Sequence, residues 1–352
     1  MNQDIQKIGR INVLDSMRGI ALLFILLVHL PMFIAPLTTG SITVIPDILF
    51  SMSAAPLFAF LFGVSAAILY NNLRKRQANP TIILLRRMFI LVPFGVIHAA
   101  FIFSVDILLG YGLAGLILVL FVKLPQKWLL TLSIVFFIYG IVAIQIEQMA
   151  GLPLILAYLG YMLPGMYAYR AGLFTHLPKK RLLLWGAACI FLVIGIPVKV
   201  MHFNGIFDSS DVFFHTIFLL SCLLVTAGYV FLFLAIGTSE KKIRSLLTPF
   251  QSVGRMAFTN YLLQSLIFAM IAIQTEHEYF SGWGLIDTIS EIQLLVLGLF
   301  VFLLQMVFSH LWLERFAYGP LEWVWRLGTY WRIVPLRKKS VVSGKNKKAS
   351  QI

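Results

Sequence analysis

Charge is what this sequence has least of. Asp, Glu, Lys and Arg together make up 12% of its 352 residues, where a soluble domain carries about 25%. That shortage excludes an ordinary water-soluble globule. Long polar stretches are also missing, so there is no room for a separate soluble domain. Cysteine is scarce, with 2 in the chain. Cys189 and Cys222 both sit in apolar runs and read as small buried residues, not as a disulfide or a metal pair. The sequence has no Walker A pattern, no H-E-x-x-H and no G-x-S-x-G elbow, which removes the common soluble-enzyme signatures. Rings of charge of the kind that line pores are absent too.

What is present is hydrophobicity, at 60% of residues. Apolar runs of about 20 residues recur along nearly the whole chain, the mark of a polytopic helical membrane protein. The expected fold is all-α, with about ten transmembrane helices. They fall at 17–37, 47–70, 86–104, 107–122, 128–146, 154–174, 182–200, 212–236, 256–275 and 289–313. The first run reads as an uncleaved helix rather than a signal peptide: it is long, carries His29 and lacks an A-x-A-like cleavage site. Residues 1–335 form one transmembrane domain in this reading, and residues 336–352 a basic tail.

The excess of 28 basic over 14 acidic residues is unevenly placed. Alternate connecting segments hold Lys7, Arg10, Arg74, Lys75, Arg76, Lys123, Lys127, Lys179, Lys180, Arg181, Lys241, Lys242, Arg244 and the C-terminal basic cluster. The others hold Asp47, Asp106, Glu147, Asp208, Asp211, Glu276, Glu278 and Asp287, with Lys199 their only basic residue. The positive-inside rule therefore predicts cytosolic termini and an even number of crossings. After the last span, YGPLEWVWRLGTYWRIVPLRKK mixes Trp323, Trp325, Tyr330 and Trp331 with Arg326 and Arg332. Pro320 can start a helix there, and the composition predicts an interfacial helix with aromatic anchors. The tail adds Lys338, Lys339, Lys345, Lys347 and Lys348. The partners this implies are membrane lipids, with anionic headgroups at the tail, and no nucleic acid.

Polar residues inside the spans are the functional candidates, because lipid offers them no partner. In LDSMRGIALLFILLVHL, Arg18 and His29 are eleven residues apart, about three helical turns and roughly 16 Å along the axis. Arg87 and His98 repeat that spacing in the third span. Both arginines lie near the basic face, and both histidines fall at a similar depth toward the other. A shared polar cavity follows, with Asp106 closing the third span, Tyr111 one turn into the fourth, and His215 entering the eighth. A histidine there suits a general base, with a carboxylate orienting its ring. The bland reading of each histidine is a hydrogen bond to a neighbouring helix. Asn260, Gln264 and Gln274 form a polar stripe on the ninth span, and interhelical glue explains the amides at least as well. Arg18, Arg86, Arg87 and Arg255 stand at helix ends, where guanidinium groups suit phosphate. Asp15 is spaced to pair with Arg18.

Several of these segments together resemble the YeiB family of bacterial membrane proteins, also called domain of unknown function 418. They are RINVLDSMRGIALLFILLVH, LFAFLFGVSAAI, RRMFILVPFGVIHAAFIFSVDILLGYGLAGL, GRMAFTNYLLQSLI and YGPLEWVWR, in that order. The opening is also similar to that of the wider transmembrane acyltransferases, whose first span reads like LRGIA…H. YeiB relatives commonly carry asparagine at the position of His29, so the histidine leans toward the acyltransferase group.

The resemblance implies a bacterial inner-membrane protein that passes an acyl group from a cytosolic donor such as acyl-CoA to a cell-envelope acceptor. No bound cofactor is implied. In that picture Arg18, Arg87 and Arg255 hold the donor's phosphates, and His29 is the general base. His98 or Asp106 assists, and Asp15, Tyr111, Asn260 and Gln264 line the pocket. The rivals are a small-solute or lipid transporter, for which breaks at Pro56, Pro93, Pro164 or Pro197 would be apt, and a non-catalytic membrane subunit.

Overall fold

The computed structural model describes residues 2–34, 41–76, 78–145, 151–176, 181–207, 211–272 and 289–338. The regular elements among them are helices: α1 (Asn2–Phe33), α2 (Ser41–Phe50), α3 (Ala54–Lys75), α4 (Pro80–Phe101), α5 (Leu108–Phe121), α6 (Gln126–Gln145), α7 (Leu152–Arg170) and α8 (Leu173–His176). These are followed by α9 (Arg181–Phe203), α10 (Val212–Thr238), α11 (Lys241–Ser245), α12 (Phe250–Arg255), α13 (Ala257–Ile271), α14 (Glu291–Arg315) and α15 (Pro320–Tyr330).

Among the described residues, 7 stretches are long and apolar enough to cross a membrane: Asn12–Phe33, Val44–Lys75, Pro80–Phe101, Leu152–Arg170, Arg181–Phe203, Val212–Thr238 and Glu291–Arg315. The chain is thus a multi-pass membrane protein. Three further apolar helices, Leu108–Phe121, Gln126–Gly140 and Ala257–Ile271, are shorter. They fall where the remaining expected spans lie.

The second span is one apolar run in sequence but two helices in space. It breaks at Ser51–Met52–Ser53, where Met52 takes a φ of 53°. Pro56 accounts for this, since its ring would collide with the carbonyl four residues back, at Met52, in a continuous helix. Pro93, Pro164 and Pro197 instead lie inside unbroken α4, α7 and α9. Pro93 is exposed.

The centre of the molecule is α1, which packs against α2, α3, α10, α12, α13 and α14. Its Met17, Ala21, Leu22 and Leu26 are fully buried. By contrast α9 and α14 expose Leu182, Val193, Ile292, Val296 and Leu303 on outward faces, as lipid-facing helices do. Cys189 lies on that exposed face of α9, which corrects the expectation that both cysteines are buried; Cys222 is buried.

Where α1 crosses α12, the two backbones touch. A Cβ at Gly254 would overlap the Asp15 carbonyl oxygen, and one at Gly19 would overlap that of Phe250. Small residues are how membrane helices come this close without a hydrophobic driving force. The crossing fixes the end of α1 that bears Asp15 and Arg18.

Helix α15 starts with Pro320 in its first turn, as expected for a residue with no N–H to lose. Its Glu322 reaches across to α13. Oε1 accepts from the backbone N–H of Phe258 (2.7 Å) and of Thr259 (3.0 Å), and Oε2 from the Thr259 hydroxyl (2.5 Å). A carboxylate thus caps the first turn of α13, where unpaired N–H groups and the helix dipole favour negative charge. Burial pushes the Glu322 carboxyl above its ordinary value of 4.5, and the hydrogen bonds from Thr259 and Phe258 pull against that.

Two outcomes are expected. Gly254→Ala should cost about 1–3 kcal/mol by overpacking the α1–α12 crossing, whereas Gly186→Ala, with nothing within 4 Å of the added carbon, should not destabilise. Unfolding in detergent measures both. A raised carboxyl pKa in the folded state stabilises fully below the ordinary value of 4.5, and that contribution fades as pH rises through the higher native value. The thermal midpoint should therefore fall as pH rises from 4.5 to that native value, and Glu322→Gln should flatten this part of the profile.

Candidate active site

Three helices meet at one carboxylate. Asp106 lies in the tight connection between α4 and α5, where the sequence placed a turn. His98 sits in the last turn of α4 and Tyr261 on α13. The Nδ1 of His98 stands 2.8 Å from Asp106 Oδ1, and the two side chains are 0% and 1% exposed. The Tyr261 hydroxyl donates to the same oxygen at 3.0 Å. Asp106 Oδ2 accepts the Leu109 backbone N–H at 2.6 Å, capping the start of α5. Every donor that a buried carboxylate needs is present.

This geometry assigns the proton on His98. With an ionised carboxylate, which only accepts, Nδ1 carries the hydrogen, and in the neutral ring the lone pair then stands on Nε2. That Nε2 is buried and has no partner among the described residues. An imidazole oriented by a carboxylate, with its far nitrogen unengaged, is the arrangement of a general base.

His29 shares the site but not the dyad. Its ring lies 4.9 Å from Phe103, and the ring of His98 lies 6.5 Å from the same phenylalanine. The two imidazoles are therefore no more than about 11 Å apart. His29 is also within electrostatic reach of both His98 and Asp106. It is half-buried, and the carboxylate orients His98 instead.

The expected arginines gather at the other end of the same helices. Arg18 pairs with Asp15 at 2.5 Å and donates to Ser65 Oγ at 2.6 Å. The guanidinium of Arg87 lies 3.5 Å over the Trp325 ring, and Trp325 Nε1 donates to the Arg87 carbonyl at 2.7 Å. Arg18 and Arg326 are within electrostatic reach of Arg87. Arg255 is exposed and, with Arg18, acts on Asp15. Arg86 instead lies over Trp331.

Other candidates are engaged elsewhere. The Tyr111 hydroxyl donates to the Ala55 carbonyl at 2.6 Å, and its ring packs on Phe58 and Tyr158. Asn260 donates to Ser309 at 2.8 Å, and Gln305 donates to the Asn260 carbonyl at 2.9 Å. The amides thus join α13 to α14, the bland reading of that stripe. The side-chain oxygens of Asn260 and Gln264 are buried without partners among the described residues. His215 stands against Phe218 in a different cluster. Gln274 lies outside the described residues.

Sequence reading missed Tyr261 and Arg326. Tyr261 stands between Asn260 and Gln264 in GRMAFTNYLLQSLI, and its phenol reads as one more membrane aromatic. Arg326 reads as an interfacial anchor until α15 folds under α4.

A polytopic helical membrane protein with a buried His–Asp dyad on one side and an arginine cluster on the other is the class so defined. Residues 168–332 match the model described as protein of unknown function (DUF418). Residues 10–190 match the catalytic region of heparan-alpha-glucosaminide N-acetyltransferase. The chain belongs to the YeiB-like DUF418 family. Among its relatives is the uncharacterized protein YxaH of Bacillus subtilis (strain 168), 28% identical over 95% of this chain and 97% of that one. An uncharacterized 39.9 kDa protein in the amylase 3' region of Bacillus acidopullulyticus is 31% identical, covering 94% and 96%. Uncharacterized YeiB of Escherichia coli (strain K12) is 25% identical, covering 89% and 94%.

Proposed function

We propose that this protein is a bacterial inner-membrane acyltransferase that carries an acyl group from a cytosolic thioester donor to an acceptor in the cell envelope. The observation that carries the reading is the His98–Asp106 pair with its unengaged Nε2, built on the same helix as Arg87. The likeness of residues 10–190 to an N-acetyltransferase catalytic region supports it and favours a short acyl group. The three shorter apolar helices complete ten crossings in this reading, and the basic segments and both termini face the cytosol. Lipid headgroups are the partners of the basic tail, whose residues 339–352 lie outside the described part.

The chemistry is as follows. Arg18 and Arg87, with Arg255 and Arg326 near them, hold the donor's phosphates. Bidentate guanidinium contacts suit that task. The thioester runs up beside α1 and α4 toward the histidines. His98 Nε2 takes the proton from the acceptor's hydroxyl or amine as that atom attacks the thioester carbonyl. The carbon–sulfur bond breaks, and the leaving thiolate recovers the proton from the imidazolium. Asp106 stabilises that imidazolium, and Tyr261 holds the carboxylate in place. His29 stands near the dyad with its ring against Phe103. This assignment moves the base from His29 to His98, because a general base requires an orienting partner and only His98 has the carboxylate.

One observation favours the transporter rival. The second span is broken at Ser51–Ser53, and interrupted helices mark carrier sites.

The test is transfer of labelled acetyl-CoA to a membrane extract by the purified protein in nanodiscs. His98→Asn, which keeps a donor toward Asp106, should lower kcat by about 10²–10⁴. Arg87→Leu should chiefly raise the donor KM. If His29→Ala abolishes transfer while His98→Asn leaves it intact, the base assignment is wrong. Solute flux into sealed liposomes with no covalent change would replace the enzyme reading by the transporter one.

A further inference from the structure

A second polar cluster lies apart from the dyad, where α9 and α10 meet the break between α2 and α3. Lys199, on α9, is wholly buried. Its Nζ donates to the Ser51 carbonyl at 2.6 Å, beside the interrupted turn. The Tyr229 hydroxyl donates to the Leu49 carbonyl at 2.8 Å. The loose carbonyls at the end of α2 are therefore met by a phenol and an ammonium, a natural use for positive charge at a helix C-terminus.

One carbonyl does not satisfy an ammonium, which has three N–H groups. Asp47 is within electrostatic reach of Lys199. Yet among the described residues no carboxylate oxygen forms an ion pair with it within 4.0 Å. A buried cation without a contacting anion is costly.

Two imidazoles stand beside it. His202 is three residues on, hence on the same helical face. Its ring stacks on Phe218 of α10 at 3.7 Å, and the His215 ring lies 6.2 Å from the same phenylalanine. His202 is within electrostatic reach of both Lys199 and His215. The Nδ1 of His202 and the Nε2 of His215 are buried and have no partner among the described residues. Asp208 lies outside the described residues, and Asp211, the nearest described carboxylate in sequence, is committed to the Phe213 and Phe214 backbone N–H groups at the start of α10. Cys222 is also near Lys199 but is a thiol buried in the helix interface.

We propose that Lys199, His202 and His215 form a binding site for a single phosphate-type anion on the less basic face of the membrane, separate from the catalytic dyad. Such a group would use the spare ammonium hydrogens and one N–H from each imidazole. Two half-buried histidines at the rim give it a way in. The same chemistry is offered by a phospholipid headgroup and by a free phosphate.

The experiment uses the full chain in phosphate-free buffer. Thermal midpoints are read in nanodiscs of phosphatidylcholine with and without phosphatidylglycerol, and in detergent with increasing inorganic phosphate. Wild type should be stabilised by at least one of the two. His202→Phe/His215→Leu, which leaves the Lys199–Ser51 bond alone, should shift that response to about tenfold higher ligand, the equivalent of one charge-assisted hydrogen bond. Lys199→Met should do the same, and if it fails to fold the double variant decides. The basic tail also attracts anionic lipid, but all variants share it, so only the difference from wild type counts. A response to phosphatidylglycerol alone identifies the lipid headgroup as the source. A response to inorganic phosphate identifies the free anion. Identical responses in wild type and the double variant would overturn the site.

Discussion

Everything in this molecule depends on one constraint: a polar group surrounded by hydrocarbon must find its partner within the protein. Asp106 is the clearest case. Its carboxylate is almost fully enclosed, and it is tolerated because α4, α5 and α13 each send it a donor, from His98, Leu109 and Tyr261. The carboxylate in turn fixes where α5 begins and how far α13 stands from α4. The interaction that makes the buried carboxylate tolerable also orients His98, whose Nε2 has no partner among the described residues.

The basic end follows the same logic with different partners. Arg18 is met by Asp15 and Ser65, and Arg87 by the face of Trp325. Helix α15 is therefore more than an interfacial float. Its Glu322 caps α13, its Trp325 covers Arg87 and donates to the α4 backbone, and its Arg326 joins the arginine cluster. The C-terminal segment packs beneath α4 and α13, the helices that carry His98 and Tyr261. Arg87 and His98 stand about three helical turns apart on α4, roughly 16 Å along its axis.

Much of this was legible in the sequence. The apolar runs give the membrane class and the positions of the 7 full-length spans, because hydropathy acts locally and lipid enforces it. The Arg/His spacing of eleven residues predicts arginines at one end and histidines at the other, and Arg18 is within electrostatic reach of Arg87 and His29 within that of His98. Helical rise alone sets that separation. Of the stripe, Asn260 acts as the interhelical glue its sequence suggests, with Ser309 and Gln305 as its partners. Cys189 was misread as buried because an apolar run looks the same from the lipid side as from the core. Pro56, Pro93, Pro164 and Pro197 could each break a helix by sequence, and of these Pro56 alone follows a break while the others lie inside continuous helices.

The sequence by itself determined where the long apolar helices lie, which connecting segments carry positive charge, and how many turns separate Arg18 from His29 and Arg87 from His98. These follow from transfer energetics and the geometry of a single helix. Tertiary structure alone decided that Asp106 serves His98 and not His29, that Tyr261 joins them, that Tyr111 turns away to Ala55, and that α15 folds back under α4. Those outcomes depend on how helices rotate and cross. That in turn depends on contacts between residues as distant in the chain as Asp15 and Gly254, where two backbones can touch only because one of them lacks a side chain.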